Sequence, residues 1–237
     1  GGAGPSGGRA GIRRSASGGA ASRAGQPFTR DWAADLLNAV EPYGGLITNG
    51  DNDTYPLWYA QEVEGIRRDV TVAVVSLLQT DWYVRQLIRR PIYEDDAARG
   101  PELYRGRDWP KPTGSPLKMS LEQADAIPLY VQVKDTSTFQ KDSLIARVPP
   151  GYLTRDQLIL LQMIKDSFPA RGIFFSSPIY GRPLGLAPYL VTHGFAQKLL
   201  QSRAEELTGT VTHTPTARLP SSYTPTPRHD PRASTTP

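Results

Sequence analysis

One feature constrains this chain more than any other: a strand that hands over to a helix through an acidic turn. Leu46 to Thr48 is short and apolar enough to read as a buried strand, and Asn49-Gly50 breaks it. Asp51, Asn52 and Asp53 follow, and Thr54 opens a helix. Pro56 stands in the first turn of that helix, where a missing N–H costs nothing. Pro56, Ala60 and Val63 recur at helical spacing, and Gly65 ends the helix. Val70–Leu78 is then a β-branched, nearly continuous apolar run, as expected of a strand buried on both faces. The acidic turn falls at the carboxyl end of the first strand, where ligands of open α/β sheets tend to sit.

The rest of the chain extends this alternation. Thr29 caps a helix through Trp32, Leu36 and Val40, which Glu41-Pro42 stops. Thr80-Asp81 caps another, with Tyr83 beside Leu87 and Val84 beside Ile88 as its buried stripe and Pro91 at its end. Residues 91–119 are rich in Pro, Gly, Arg and Tyr, without any period, and read as a long surface excursion. Ser120 to Asp125 is one helical turn. Leu129 to Val133 and Leu144 to Val148 are expected to pair as a hairpin around Asp135 to Asp142. Thr154 to Gln157 is a capping box ahead of a helix whose core stripe is Leu158, Leu161, Ile164 and Phe168. Ile173 to Phe175 is a strand, and Leu186 to Leu200 holds a short helix or turn, then a helix or edge strand. The order predicts an α/β fold: a single three-layer domain with a mainly parallel sheet flanked by helices. Leu46–Thr48, Val70–Leu78 and Ile173–Phe175 are its neighbouring strands.

Composition sets the limits. Residues 1–26 are a low-complexity Gly/Ala/Ser/Arg segment and residues 202–237 a Thr/Pro/Ser-rich tail. Both are expected to be disordered, leaving 27–201 as the α/β domain. The formal charge of +4 resides in the ends: residues 1–26 carry +4 and residues 202–237 carry +1, so 27–201 sums to −1. A near-neutral domain gives nucleic-acid binding no support. There is no cysteine, which excludes disulfides, zinc–thiolate sites and thiol nucleophiles. The N-terminus has no apolar signal core, and the strongly apolar run Val72–Leu78 is far short of a membrane span, so the chain as given reads as soluble.

Asp51 and Asp53 are the carboxylate pair best placed for chemistry. They could hold a divalent metal through oxygen ligands, or grip sugar hydroxyls with Asn52. The plainer reading, and the favoured one, is that Asp53 or Thr54 caps the helix while Asn49 and Asp51 shape the turn. Trp58, Tyr59, Trp82 and Tyr83 could stack on sugars, although aromatics at helical spacing commonly face a core. Arg99, Arg105 and Arg107 could meet phosphate or form a solvated loop. His193, alone in the folded part, reads as structural. There is no Walker loop, no dinucleotide fingerprint and no nucleophile elbow.

Four stretches together carry a family likeness: Glu41-Pro42 leading to Thr48–Thr54; Pro56–Asp69; Val74–Trp82 with Thr80–Tyr83; and Gly185–Leu190 with Gly194. They resemble the soluble C-terminal domain of a bacterial membrane-protein family described as protein O-mannosyltransferase-like, a domain-of-unknown-function family similar to GT-C-type glycosyltransferases. The resemblance covers about residues 28–200. It implies a parent protein in the bacterial inner membrane with this domain on the periplasmic side. The catalytic acid and the lipid-linked donor site would belong to the membrane block, so no catalytic residue carries over. Ser176 to Gly181 departs from a more Thr/Arg-rich family stretch.

The expectation is therefore an extracytoplasmic accessory domain that does not itself transfer sugar. Its partners would be the membrane part of the parent and an acceptor protein or glycan, with no nucleic acid. Asp51, Asn52, Asp53, Trp58 and Tyr59 are the candidate ligand-binding residues. No cofactor is predicted, and a divalent metal at Asp51 and Asp53 stays open. The alternative is a free-standing metal-dependent α/β hydrolase or phosphotransferase using the same two carboxylates.

Overall fold

The structure, a computed structural model, describes residues 27–207. The expected disorder of 1–26 and of most of the 202–237 tail lies outside the described residues. Up to 207 the tail includes a short helix, α6 (Ala204–Leu207).

The chain opens with α1 (Pro27–Asn38), then β1 (Gly45–Thr48), α2 (Asp51–Glu62) and β2 (Thr71–Val74). It continues through α3 (Asp81–Arg89) and α4 (Leu121–Asp125) to four short strands: β3 (Tyr130–Val133), β4 (Ser137–Lys141), β5 (Leu144–Val148) and β6 (Gly151–Thr154). Helix α5 (Arg155–Ser167), β7 (Ile173–Phe175), β8 (Leu190–His193) and β9 (Ala196–Leu199) follow.

The main sheet has five strands in the order β2-β1-β7-β9-β8. The predicted neighbours are present: β1 pairs in parallel with β2 on one side and with β7 on the other. The remaining pairings, β7 with β9 and β9 with β8, are antiparallel. The sheet is therefore mixed, which corrects the expectation of a mainly parallel one. The physical reason is the last hairpin, in which Gly194 at φ 60° turns the chain straight back, so no crossover helix intervenes.

Side-chain direction shows how the helices cover β1. The Thr48 hydroxyl hydrogen-bonds Thr54 of α2 at 3.0 Å. Gly45, three residues earlier and so on the opposite face, lies against Met163 of α5, with 2.9 Å left for any Cβ. The core between them contains Leu46, Ile47, Val72, Phe174 and Phe175, all essentially buried.

Four local expectations are corrected. Helix α2 begins at Asp51 rather than Thr54, with Gly50 as its N-cap, so Pro56 lies inside the helix. Its buried face is Thr54, Leu57, Ala60 and Gln61, while Val63 is exposed. Gly65 does end it: at φ 69° it lets the Ile66 amide reach back to the Ala60 carbonyl at 2.9 Å. The strand expected over Val70–Leu78 stops at Val74, and Val75–Gln79 is a 3₁₀ turn. The expected hairpin does not form. Instead β3 pairs with β6 and β4 with β5, because Asp142, at φ 50°, turns β4 straight back into β5 and leaves β3 for β6. In α5 the buried stripe is Ile159, Leu160, Met163, Ile164 and Ser167, with Leu158 and Leu161 only half-buried.

Strand β2 is an edge of the sheet, and α3 closes it. The Val74 amide donates to the Tyr83 hydroxyl at 3.0 Å, and that hydroxyl donates to the Val72 carbonyl at 3.1 Å. One phenol thus stands in for a neighbouring strand. Burial pushes its pKa up to about 12. Tyr83→Phe should cost about 1–3 kcal/mol, because it orphans a buried amide and a buried carbonyl. Urea denaturation of the two proteins measures this, and a loss under about 0.5 kcal/mol would show the edge to be satisfied otherwise.

Among the described residues no helix is long and apolar enough to cross a membrane.

Candidate functional site

The chain leaves β1 toward β2 on one side and later returns to β7 on the other. The crevice outside the carboxyl ends of β1 and β7 is therefore a point where the strand order reverses, the place where such sheets present ligands. The acidic turn lies there, since Asp51 follows β1 after only Asn49 and Gly50.

Asp53 is the third residue of α2, and its carboxylate is committed. Oδ1 accepts from the Gly50 amide at 3.2 Å, and Oδ2 accepts from the Asn49 amide at 3.4 Å and from the Ser176 hydroxyl at 3.0 Å. Ser176 directly follows β7, so Asp53 ties the ends of β1 and β7 together. It also places a negative charge at the positive end of the helix. Ser76, in the 3₁₀ turn after β2, adds a third tie by donating to the Asn49 carbonyl at 2.8 Å. Tyr180 stands beside this network. Burial first, then the Asp53 charge, raise its phenol above the ordinary value, and a hydrogen bond with Ser176 opposes that shift.

Asp51 and Asn52 behave differently. Both are exposed, and neither side chain hydrogen-bonds to the described residues. The pair therefore divides into a structural carboxylate, Asp53, and a free one, Asp51. Asp53→Ala should cost about 1–2 kcal/mol by the loss of its cap bonds, whereas Asp51→Ala should stay within about 0.5 kcal/mol. Thermal melting of both variants separates the two roles, and equal losses would contradict the division.

As to metal, among the described residues no group of three or more His, Cys, Asp or Glu side chains is arranged to hold an ion. Asp51 would have to recruit ligands beyond the turn.

The predicted aromatics separate too. Tyr83 is buried at the β2 edge and unavailable to a ligand. Tyr59 is exposed on α2. Trp58, half-buried and 6.0 Å from the Tyr55 ring, lines an open groove of about 860 Å³ between α2 and α3. Trp82 of α3 faces it there, with Arg85, Gln86 and Arg89 from the same helix. The sequence contains the signal for that wall, because Trp82, Arg85, Gln86 and Arg89 fall at i, i+3, i+4 and i+7. It contains none for the opposing wall, which is a tertiary matter.

Of the other candidates, Arg99 and Arg107 are exposed, while Arg105 and His193 have partners within the fold. Arg105 donates to the carbonyls of Ala97, Ala98 and Gly100, pinning the 91–119 excursion to itself. Tyr104 anchors the same segment, donating to the Ala39 carbonyl at 2.7 Å. His193 is half-buried, with Nε2 3.4 Å from the Tyr104 hydroxyl and its ring 5.7 Å from that of Phe174. Burial holds its pKa below the usual imidazole value.

Residues 29–99 match the family model of TMEM260-associated domain 2, TMEM260 being a protein O-mannosyltransferase-like protein. The matched stretch runs from α1 through β1, α2, β2 and α3, and so includes both the acidic turn and the groove walls. No curated protein and no solved structure matches the chain.

Proposed function

We propose that this chain is the extracytoplasmic accessory domain of an O-mannosyltransferase-like membrane glycosyltransferase. In this reading it sits against the membrane part of its parent and binds acceptor protein or glycan. The single observation that carries the reading is the family match over residues 29–99, which coincides with the β1–α2–β2 unit and its acidic turn.

The chemistry of the turn favours binding over catalysis. Glycosyl transfer from a lipid-linked donor requires a carboxylate poised at the anomeric carbon, supported by a site for the lipid phosphate. Asp53 is already held by three donors. Asp51 remains as a free acceptor beside Asn52, at the reversal point of a sheet flanked by α2 and α5, and this arrangement suits hydroxyl or amide recognition. The test is binding of an immobilised acceptor glycopeptide to the chain. Asp51→Ala should weaken binding roughly tenfold without changing thermal stability. Unchanged binding in Asp51→Ala would remove the turn from the reading.

A further inference from the structure

The groove between α2 and α3 has an unusual lining for a near-neutral domain. On α3, Trp82, Arg85, Gln86 and Arg89 share one face, opposite the buried Tyr83, Val84 and Leu87. On α2, Trp58 and Glu62 stand one turn apart. Arg90, just past the end of α3, and Tyr93 also line it, the guanidinium 5.8 Å from the ring.

The cations there are not equivalent. Arg85 is held by Asp125 through two hydrogen bonds of 3.2 and 2.6 Å, so its charge is met. Arg89 is exposed and has no ion pair among the described residues. Arg90 is half-buried, and its Nη2 is enclosed without any hydrogen-bond partner. A desolvated guanidinium donor without an acceptor is costly, and a side-chain shift that brings it to an anion in the groove relieves that cost. One unpaired guanidinium, Arg89, and a second, Arg90, which lies over the Tyr93 ring at 5.8 Å and keeps one nitrogen without an acceptor, thus flank two indole rings, in a domain where residues 27–201 sum to −1.

We propose that this groove binds an anionic saccharide. The apolar face of a sugar ring would lie on the indole of Trp82 or Trp58, which supply apolar area at little entropic cost. Its carboxylate, sulfate or phosphate ester would be met by the planar forks of Arg89 and Arg90. Its hydroxyls would donate to Glu62, whose Oε2 already accepts from Arg68 at 3.4 Å, and exchange hydrogen bonds with Gln86. A nucleic-acid strand is disfavoured because Arg85 is already met by Asp125, which leaves few free cations for a phosphate backbone. A strand also needs an extended basic track, and here the free positive charge is confined to one end.

This inference rests on the glycan-binding part of the function proposed above and names the class of glycan and its seat. Calorimetric titration of the whole chain with sucrose octasulfate tests it, with inorganic sulfate, plain sucrose and a short oligothymidylate as comparison ligands. The sulfated disaccharide should bind at least roughly tenfold tighter than inorganic sulfate, and plain sucrose should not bind measurably. Arg89→Ala and Trp82→Ala should each weaken it roughly tenfold. Both side chains are exposed, so the melting temperatures should not move. Equal affinity for inorganic sulfate, indifference to Trp82→Ala, or tighter binding of oligothymidylate would overturn the proposal. Asp51→Ala separates the two claims. If it alone abolished saccharide binding, the ligand would sit at the turn and the groove would be wrong. If acceptor glycopeptide bound but the sulfated sugar did not, the groove would fail and the accessory reading would stand.

Discussion

Replacing Asp69 with alanine is expected to destabilise the protein by about 3–5 kcal/mol, the range for removing one partner of a buried ion pair. Both side chains of the Arg67–Asp69 pair are almost fully enclosed, at 4% and 2% exposure. Arg67 Nε donates to Asp69 Oδ1 and Nη2 to Oδ2, each at 2.9 Å. Asp69 Oδ2 also accepts from the Tyr43 amide at 3.0 Å, and Arg67 Nη1 donates to the Leu37 carbonyl at 3.3 Å. The network joins the end of α1, the turn into β1 and the turn into β2. Tyr43 and Arg67 both occupy the left-handed region, at φ 62° and 45°, where a side chain is disfavoured. Alanine at 69 would leave a buried guanidinium without its carboxylate and the Tyr43 amide without its acceptor. Against a typical total stability of about 5–15 kcal/mol, that is a large fraction. Asp69→Asn should fall between the two, since it keeps an acceptor and loses the charge. An alanine cost below about 1 kcal/mol in urea unfolding would show that water or a rearranged Asp95, whose carboxylate is 4.0 Å from Arg67 Nε, replaces the lost partner.

Gly185→Ala is expected to cost roughly 3 kcal/mol or more, through two separate penalties. Gly185 lies at φ 69°, in the left-handed region. A Cβ there would also press into the Arg147 carbonyl of β5, 2.7 Å from its carbon. The obstacle is backbone, so it cannot swing aside as a side chain would. Gly65 is the internal control. It has the same φ of 69°, but the nearest atom to a Cβ is 3.9 Å away, at the end of the Arg99 side chain. Gly65→Ala should therefore show only the conformational penalty, about 1–2 kcal/mol. Comparison of the two melting temperatures isolates the steric part, and equal losses would contradict the close packing of the 182–189 turns on β5.

These two sites explain part of the family likeness. Arg67-Arg68-Asp69 and Gly185–Leu190 are among the stretches that carry it, and both are occupied with holding the fold together. The parallel β2-β1-β7 core was legible because buried strands of this kind are unbroken apolar runs punctuated by turns. The end of β2 was not, because Val75, Leu77 and Leu78 are as apolar as the strand before them. Tertiary ties distinguish the 3₁₀ turn, from Ser76 to the Asn49 carbonyl and from Gln79 to Asp156. The partners of β3 and β5 were not legible either, since an alternating strand specifies a face and not a neighbour. In α5, apolar residues at 158–161 cover several directions, so the stripe was ambiguous by about one residue.

The same logic applies to the site. Asp51 to Asp53 stood out because acids after a strand and before a helix are a local pattern. Two of the bonds that commit Asp53 are local, to the Asn49 and Gly50 amides, but the third comes from Ser176, more than a hundred residues away along the chain. The groove was half visible, as the polar face of α3. Its second wall exists only because α2 lies beside it.

The central claim, that this domain serves a glycosyltransferase without itself transferring sugar, is tested most directly by one assay. The purified chain is incubated with a polyprenyl-phosphate-linked sugar and an acceptor peptide, and transfer of labelled sugar is counted. The account predicts no turnover above the level of a chain-free control, while acceptor binding sensitive to Asp51→Ala persists in the same preparation. Measurable transfer that Asp51→Asn abolishes would contradict it and make the domain an enzyme in its own right.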